Sequence, residues 1–121
     1  MSRPLAWSLF STMATRDPGY AAVMDANPDE LRVASLKLLA AFLPVQARAG
    51  RLARKSAVPS LFLIPGIDHL VDERASRKLF KKVAAADKSL TEYPEMFHAL
   101  SIDLGREKVF RDILEWTAKR V

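Results

Sequence analysis

Residues 58–66 read Val-Pro-Ser-Leu-Phe-Leu-Ile-Pro-Gly, and this stretch decides the fold class of the chain. It is a short apolar run closed by a Pro-Gly pair, a pattern typical of a strand that is buried on both faces of a parallel sheet. A second strand is predicted from Ser89 to Tyr93, where Pro94 stops it. Parallel strands need crossover connections and cover on both faces of their sheet. The stretch therefore predicts an α/β fold.

A helical pattern follows each of these strands. Asp72 can cap a helix that runs to about Ala86, and Gly105 precedes a last helix. Residues that recur at helical spacing predict the buried side of each helix. They are Ala75, Leu79, Phe80 and Val83 in the first helix, and Val109, Phe110, Ile113, Leu114 and Thr117 in the second. Two parallel strands joined by a right-handed crossover are the expected centre of the fold.

Residues 1–26 show a mixed pattern, and the segment from Asn27 to about Lys55 is predicted to be helical. Residues 17–19, Asp-Pro-Gly, predict a turn, and Asn27 followed by Pro28 predicts the start of a helix. The residues of this helix expected to face the core are Leu31, Ala34, Leu38, Leu39 and Phe42. Pro44 is expected to end or kink the helix, and the basic, alanine-rich segment after it is expected to be helical to about Lys55.

Two strands are too few for a free-standing parallel sheet. Such a pair leaves open edges and apolar surface without cover. We therefore expect a partial three-layer fold, with few parallel strands and flanking helices. Either another copy of the chain, which would make it a homo-oligomer, or a missing segment of a larger protein is expected to complete the sheet.

Length and composition exclude several classes of function. The 121 residues allow one domain with a real core. The absence of cysteine excludes disulfides, thiolate metal sites and a cysteine nucleophile. The four glycines, at 19, 50, 66 and 105, lie too far apart for a Gly-x-Ser-x-Gly elbow, a dinucleotide fingerprint or a phosphate-binding loop.

The net charge of +5 is concentrated in two clusters that are predicted to be solvated helix faces. The clusters are Arg48, Arg51, Arg54 and Lys55, and Arg77, Lys78, Lys81 and Lys82. No aromatic residue interleaves with either cluster to stack on bases, so nucleic acid is not an expected partner. No apolar run reaches the ~18 residues of a membrane span or forms a secretory signal. A cytoplasmic protein without stable membrane insertion is expected.

Two titratable residues follow the two predicted strands. Asp68 comes shortly after the first strand and His98 shortly after the second, 30 residues later. The carboxyl ends of parallel strands meet at one edge of the sheet, where ligands bind in such folds. A carboxylate at that edge can hold a histidine in one tautomer while the histidine acts as a general base. Asp68 and His98 are therefore the candidate site residues.

The sequence around these residues forms a pattern of two blocks and a closing helix. Residues 66–72 read Gly-Ile-Asp-His-Leu-Val-Asp, residues 93–98 read Tyr-Pro-Glu-Met-Phe-His, and the last helix runs into Trp116. In order and spacing, the pattern resembles the C-terminal part of α/β-hydrolases of the lysophospholipase and monoglyceride lipase-like branch, which are serine hydrolases. The resemblance is good over residues 57–120 and looser over 15–56.

The resemblance implies roles for three residues. Asp68 corresponds to the acid of the catalytic triad, His98 to its base, and Asp72 to a second acid that supports the loop and caps the following helix. It also implies a helical, lid-derived segment with a connecting helix over residues 1–56. Residues 57–121 would be the C-terminal strand–helix–strand–helix part of the domain. The implied substrate is an acyl ester such as a lysophospholipid or a monoacylglycerol, with no cofactor.

The triad nucleophile of such hydrolases lies upstream, on an elbow that this sequence lacks. The serines considered as replacements are Ser8, Ser11, Ser35, Ser60, Ser76 and Ser101, and none stands between small residues on a strand-to-helix turn. The chain alone is therefore expected to be inactive, with the missing N-terminal hydrolase half as its partner. His69 and His98 lack the spacing of a metal-binding motif, so no metal is expected.

Two other interpretations stay open at this point. The chain can be a non-catalytic, hydrolase-derived protein that self-associates through its open sheet edge. It can also be a basic module that binds nucleic acid in a salt-dependent way.

One departure from the family pattern concerns the residues before His98. They are often small in the family and are Glu95 and Met96 here.

Overall fold

The computed structural model describes residues 5–6, 10–30 and 33–121. Its elements, in chain order, are β1 Leu5–Ala6, α1 Phe10–Ala14, α2 Pro18–Ala26, β2 Val33–Ala34, α3 Leu36–Ala53, β3 Ser60–Pro65, α4 Glu73–Lys82, β4 Lys88–Tyr93 and α5 Arg106–Ala118. The strands form two separate pairs. β1 and β2 are antiparallel, and β3 and β4 are parallel. The parallel pair confirms the predicted α/β class.

The pair β3–β4 lies between two layers of helices. Its register runs from Ser60 opposite Lys88 to Pro65 opposite Tyr93. Because side chains alternate along a strand, Phe62 and Leu63 point to opposite faces. Phe62 packs on the α3–α4 side with Ala53, Leu79, Val83 and Ala85. Leu63 packs on the α5 side with Tyr93, Met96, Leu100, Val109 and Ile113.

The sheet is small, as predicted, and this limits how deeply its strands are buried. In the described part of the chain, neither β3 nor β4 pairs with a third strand. Ile64 is buried, whereas the other residues of β3 are half-buried. The expectation of a strand buried on both faces therefore holds for Ile64 alone, because two strands offer the helices only a narrow platform.

Helix α4 begins as predicted and ends earlier than predicted. The Asp72 carboxylate accepts a hydrogen bond from the Arg74 N–H at 2.9 Å, which caps the helix. The helix ends at Lys82 rather than near Ala86, since Val83 turns to an extended backbone and is buried. The Lys88 ammonium group donates to the carbonyl of Phe80 at 3.1 Å and to that of Val83 at 2.7 Å. Lys88 thus satisfies carbonyls that the helix end leaves unpaired.

Helix α5 follows Gly105, which has a left-handed φ of 93°. Val109 is buried and Ile113 is half-buried, as predicted. Phe110, Leu114 and Thr117 are exposed, so their predicted burial is wrong. The reason is again the width of the sheet, because a two-stranded platform contacts one side of the helix only.

Helix α2 begins where the sequence predicts a turn. The Asp17 carboxylate accepts a hydrogen bond from the Gly19 N–H at 2.9 Å, and Pro18 takes the first position of the helix. Asn27, predicted to start a helix, instead follows the last residue of α2. Asp17, Asn27 and Ser35 are all good capping residues. Asp17 and Ser35 cap α2 and α3, and the prediction that Asn27 starts a helix is wrong.

Helix α3 begins at Leu36 because Ser35 caps it, its hydroxyl accepting from the Leu38 N–H at 3.1 Å. Residues 33–34 are extended and pair with β1, so the predicted helix start at Pro28 is wrong. Of the residues predicted to face the core, Leu38 and Phe42 are exposed, Ala34 and Leu39 are half-buried, and Leu31 lies outside the described residues.

Pro44 does not end α3, which continues to Ala53. The part of the helix after Pro44 is held by Ala53, which is buried against Val83 and Ala85. The predicted helicity of this basic, alanine-rich segment is confirmed. No helix of the described residues is long and apolar enough to cross a membrane.

Candidate active site

The loops that follow β3 and β4 contact each other directly at Gly66. Its N–H donates to the carbonyl of Tyr93 at 2.8 Å, and the N–H of Ile67 donates to that of Met96 at 3.0 Å. A Cβ on Gly66 would lie 2.4 Å from the carbonyl oxygen of Pro94. Only glycine fits this approach, which brings the two loops together at the carboxyl edge of the sheet.

Asp68 and His98 meet at this edge, as their positions after the two strands predict. The Nδ1 atom of His98 lies 2.9 Å from Oδ2 and 3.1 Å from Oδ1 of Asp68. The Asp68 Oδ1 atom also accepts hydrogen bonds from the N–H groups of Leu70 at 2.8 Å and Val71 at 2.9 Å. These bonds fix the carboxylate within its own loop and direct it at the histidine.

The electrostatics of the pair define which ring nitrogen of His98 carries the proton. Burial opposes ionisation of Asp68, but hydrogen bonds from His98, Leu70 and Val71 outweigh it and lower the pKa of the carboxyl. An ionised carboxylate only accepts hydrogen bonds, so Nδ1 of the neutral imidazole is the protonated nitrogen. Nε2 is then left with a free lone pair, the state that a general base needs.

Asp68 and His98 differ in the exposure of their side chains. The Asp68 side chain is 7 % exposed and that of His98 is 35 % exposed. An open cavity of about 450 Å³ borders both residues. Within the described residues, no hydrogen bond joins Nε2 of His98 to another group. The protonated side of the ring is thus shielded by Asp68, and the ring as a whole stays accessible.

None of the described serines forms a hydrogen bond with His98. Ser76 and Ser101 line the cavity without a hydrogen bond to His98 in the described part of the chain. Ser35 caps α3, the Ser60 hydroxyl donates to the Val58 carbonyl at 2.9 Å, and Ser11 is buried in α1. Ser8 lies outside the described residues.

The remaining residues singled out in the sequence lie beside the pair rather than in it. Asp72 caps α4 with an exposed side chain. His69 is exposed, with its ring edge-on to Phe97 at 5.2 Å between centroids. Glu95 is exposed and Met96 is buried against Tyr93 and Val109. No group of three or more potential metal ligands forms among the described residues.

Sequence reasoning missed one residue of this region, Asp103. Its side chain is fully buried and accepts a hydrogen bond from the N–H of Phe97, the residue before His98, at 2.7 Å. It also forms an ion pair with Arg16 at 3.0 Å. The only sequence signal is an acid within the otherwise mostly apolar stretch 99–104, and nothing local points to a partner 87 residues earlier.

Comparison with known proteins shows the family to which the chain belongs. The family model described as "Serine aminopeptidase, S33" matches residues 2–105, which include Asp68, His98 and Asp103. The chain belongs to the serine aminopeptidase S33 family. The family match confirms the resemblance to α/β-hydrolases that the two sequence blocks indicate.

Two solved structures of this fold are similar to the S33 chain described above. A monoacylglycerol lipase from Paleococcus ferrophilus is 25 % identical, with a TM-score of 0.84 over 95 % of this chain. A soluble variant of the monoglyceride lipase from Saccharomyces cerevisiae, in complex with a substrate analogue, is 21 % identical and has a TM-score of 0.84 over 98 % of this chain. The S33 chain spans 45 % and 44 % of those two chains. Its fold therefore corresponds to part of an α/β-hydrolase domain of the monoglyceride lipase-like branch.

Proposed function

We propose that this chain carries the acid and the base of a serine ester hydrolase. Asp68 is the acid, His98 is the base, and the nucleophilic serine comes from a segment outside this chain. The observation that carries the proposal is the hydrogen bond of 2.9 Å between Oδ2 of Asp68 and Nδ1 of His98, which in the neutral ring leaves Nε2 as the acceptor nitrogen. Membership of the S33 family supports the same assignment.

The proposed chemistry is acyl transfer through the serine. Nε2 of His98 takes the proton of the serine hydroxyl as its oxygen attacks the ester carbonyl carbon, and His98 then gives that proton to the leaving alcohol. A water molecule hydrolyses the acyl-serine by the same steps. Asp68 stabilises the imidazolium ion that forms in each step and keeps the ring in place.

The proposed substrate class is a monoacylglycerol or a lysophospholipid. It rests on the resemblance of residues 66–72 and 93–98 to that branch of the family, and on the similarity to the lipase of Paleococcus ferrophilus. Next to Asp68 and His98, the cavity is bordered by Leu63, Val71 and Ile113, which are apolar and suit the acyl chain that both substrates carry.

The first test uses the purified chain alone with p-nitrophenyl butyrate. Loss of a triad serine typically reduces turnover by about a millionfold, so we expect no hydrolysis above background. We also expect no labelling by a fluorophosphonate, which reacts with activated serines. Turnover that disappears in the His98→Ala variant would place the nucleophile within this chain and contradict the proposal.

The second test supplies the missing part. The chain is joined to the portion of the Paleococcus ferrophilus monoacylglycerol lipase that it does not match. We expect the joined protein to hydrolyse a monoacylglycerol, and His98→Ala to abolish that activity. Asp72→Asn is the matched control, because this exposed carboxylate contacts the start of α4 and not the pair. A folded joined protein with equal activity in the His98→Ala variant would refute the role of His98.

A second candidate function is self-association without catalysis. The exposed apolar side chains of Phe110 and Leu114 on α5, together with the edges of the β3–β4 pair that are open among the described residues, favour it. It predicts a stable dimer or larger assembly at micromolar concentration in light scattering. A monomer at that concentration would remove this candidate and leave the hydrolase proposal unaffected.

A further inference from the structure

Asp103 is the most deeply buried ionisable side chain of the described residues, with 0 % exposure. Its Oδ1 atom accepts from the Arg16 N–H at 2.6 Å and lies 3.3 Å from the Thr15 hydroxyl, whose one proton is shared with the Ile102 carbonyl. Its Oδ2 atom accepts from the Phe97 N–H at 2.7 Å and from Nε of Arg16 at 3.0 Å. A buried carboxylate is costly unless it is paired and its oxygens are satisfied, and both conditions are met here.

Hydrogen bonds hold the backbone of both neighbours of His98. The N–H of Phe97 donates to Asp103, and the N–H of Ala99 donates to the carbonyl of Ala14 at 2.8 Å. The backbone is therefore fixed on one side of His98 by the Asp103 carboxylate and on the other side by the Ala14 carbonyl. Because His98 reaches Asp68 from this backbone, a shift in either bond changes the distance between their side chains.

Further contacts join the turn between α1 and α2 to the loop that carries His98. The Thr15 hydroxyl donates to the carbonyl of Ile102 at 3.0 Å. Arg106 forms an ion pair with Asp17 at 2.9 Å, and its guanidinium lies 4.9 Å from the centre of the Tyr20 ring. The turn between α1 and α2 is thus fastened to the loop that carries His98, and Asp103 lies at the centre of the junction.

We infer that Asp103 is a positioning residue that holds His98 within hydrogen-bond distance of Asp68. Buried ion pairs are weak evidence of stabilisation, because their desolvation cost offsets much of the attraction, and in some proteins their role is to fix the register of the groups they join. At Asp103 the joined groups are the amide before His98 and Arg16 in the turn between α1 and α2. In catalytic terms the inference rests on the proposed function, but the geometric claim about His98 does not.

The test observes the hydrogen bond itself by NMR. In a His69→Asn background, His98 is the only histidine, and the exchange rate of its Nδ1 proton with water reports the bond to Asp68. We expect Asp103→Asn to speed this exchange about tenfold, because the amide keeps one acceptor and loses the ion pair that fixes the loop. Exchange within twofold of the parent protein would overturn the inference.

Two further variants separate positioning from general stability. Val83→Ala opens a gap in the α3–α4 cluster, on the face of the sheet opposite α5, and we expect it to lower the urea midpoint without changing the exchange rate. Arg16→Gln removes the positive charge that pairs with Asp103, and it keeps the hydrogen bond from the Phe97 N–H to Asp103. We expect it to speed exchange by a smaller factor, and it serves as the test where Asp103→Asn does not fold. Equal acceleration by Val83→Ala and Arg16→Gln would show a purely structural role.

Neither readout needs a nucleophile or a substrate. Failure of the ester-hydrolase tests would therefore leave this inference standing, and failure here would leave His98 as a candidate base without Asp103 as its support. In an active joined protein, Asp103→Asn is expected to lower kcat more than it changes KM, since it disturbs the base rather than the cavity.

Discussion

Helix α3 and the two loops that follow β3 and β4 differ in how completely the described chain covers them. In the loops, backbone bonds join residues 66 and 67 to residues 93 and 96, and the carboxylates of Asp68 and Asp103 are almost fully buried. Helix α3 instead carries large apolar side chains that are about half exposed or more. They are Leu36, Leu38, Phe42, Leu43, Val45 and Leu52.

The Asp68–His98 pair is held by contacts that this chain itself provides. Gly66, Asp68 and His98 lie within residues 66–98, and the turn between α1 and α2 supplies the remaining support through Asp103. The apolar side chains of α3 have no comparable cover among the described residues. Changes at the loops should therefore affect stability and site geometry strongly, and equal changes on α3 should affect them little.

The largest effect is expected from a methyl group at Gly66. Gly66→Ala places a Cβ 2.4 Å from the Pro94 carbonyl oxygen, so the two loops must separate. We expect a loss of about 3 kcal/mol in the free energy of unfolding, at the upper end of the range for overpacking, measured by urea denaturation.

Gly50→Ala on α3 is the matched control for that substitution. Its Cβ would meet the flexible end of the Lys82 side chain at 3.0 Å, which can move aside. Alanine inside a helix is favoured over glycine by up to about 1 kcal/mol, so this variant should be as stable as the parent or more stable. Equal destabilisation by the two variants would break the distinction between the two regions.

A smaller effect is expected from removing apolar side chains in each region. Val109 is 2 % exposed and packs against Tyr93 and Met96 beneath the site, so Val109→Ala should cost about 2 kcal/mol of unfolding free energy. Leu43 on α3 is 65 % exposed, and Leu43→Ala should stay within about 0.5 kcal/mol of the parent protein. A cost at Leu43 comparable to that at Val109 would show that α3 is covered in solution, for instance by self-association.

Part of the pH dependence of stability should come from the two carboxyls of the site, beside the ion-paired carboxyls of Asp17, Asp87 and Asp112. Hydrogen bonds outweigh burial and lower the pKa of both Asp68 and Asp103 from the ordinary value of 3.8. A carboxyl with a lowered folded-state pKa stabilises the fold above its unfolded pKa, and this stabilisation is lost as the pH falls through the folded value. Stability should therefore decline below about pH 4. Helix α3 contains no Asp or Glu and contributes nothing to this decline.

The smallest expected effect is on how steeply stability falls with pH when the Asp103 carboxyl is removed. Asp103→Asn should make the urea midpoint less dependent on pH below about pH 4, because one group whose pKa is lowered no longer titrates. Equal slopes in the parent protein and in this variant would show that Asp103 does not couple to folding.

The same two regions differ in how far the sequence predicts them. β3, β4 and the Asp72 cap were predicted closely, since each depends on local signals such as Pro-Gly closure or a capping carboxylate. The meeting of Asp68 and His98 followed from parallel topology, which brings the ends of neighbouring strands together. The division of the chain at residues 56 and 57 stays a prediction.

The N-terminal helices and the Asp103 junction were not predictable in the same way. Asp17, Asn27 and Ser35 are all good caps, and the choice between them depends on the pairing of β2 with β1, far apart in sequence. The role of Asp103 depends on Arg16, 87 residues earlier. Burial of Phe110 and Leu114 was predicted from helical spacing alone, which cannot tell how wide a sheet the helix packs on.

The protonation of the His98 ring tests the central claim most directly. In the His69→Asn background, 15N–1H correlation spectra recorded with the ring neutral distinguish the two tautomers of His98. We predict that the proton resides on Nδ1, facing Asp68, and that Asp68→Asn removes this preference. A proton on Nε2 in the parent protein would contradict the assignment of His98 as a base held by Asp68.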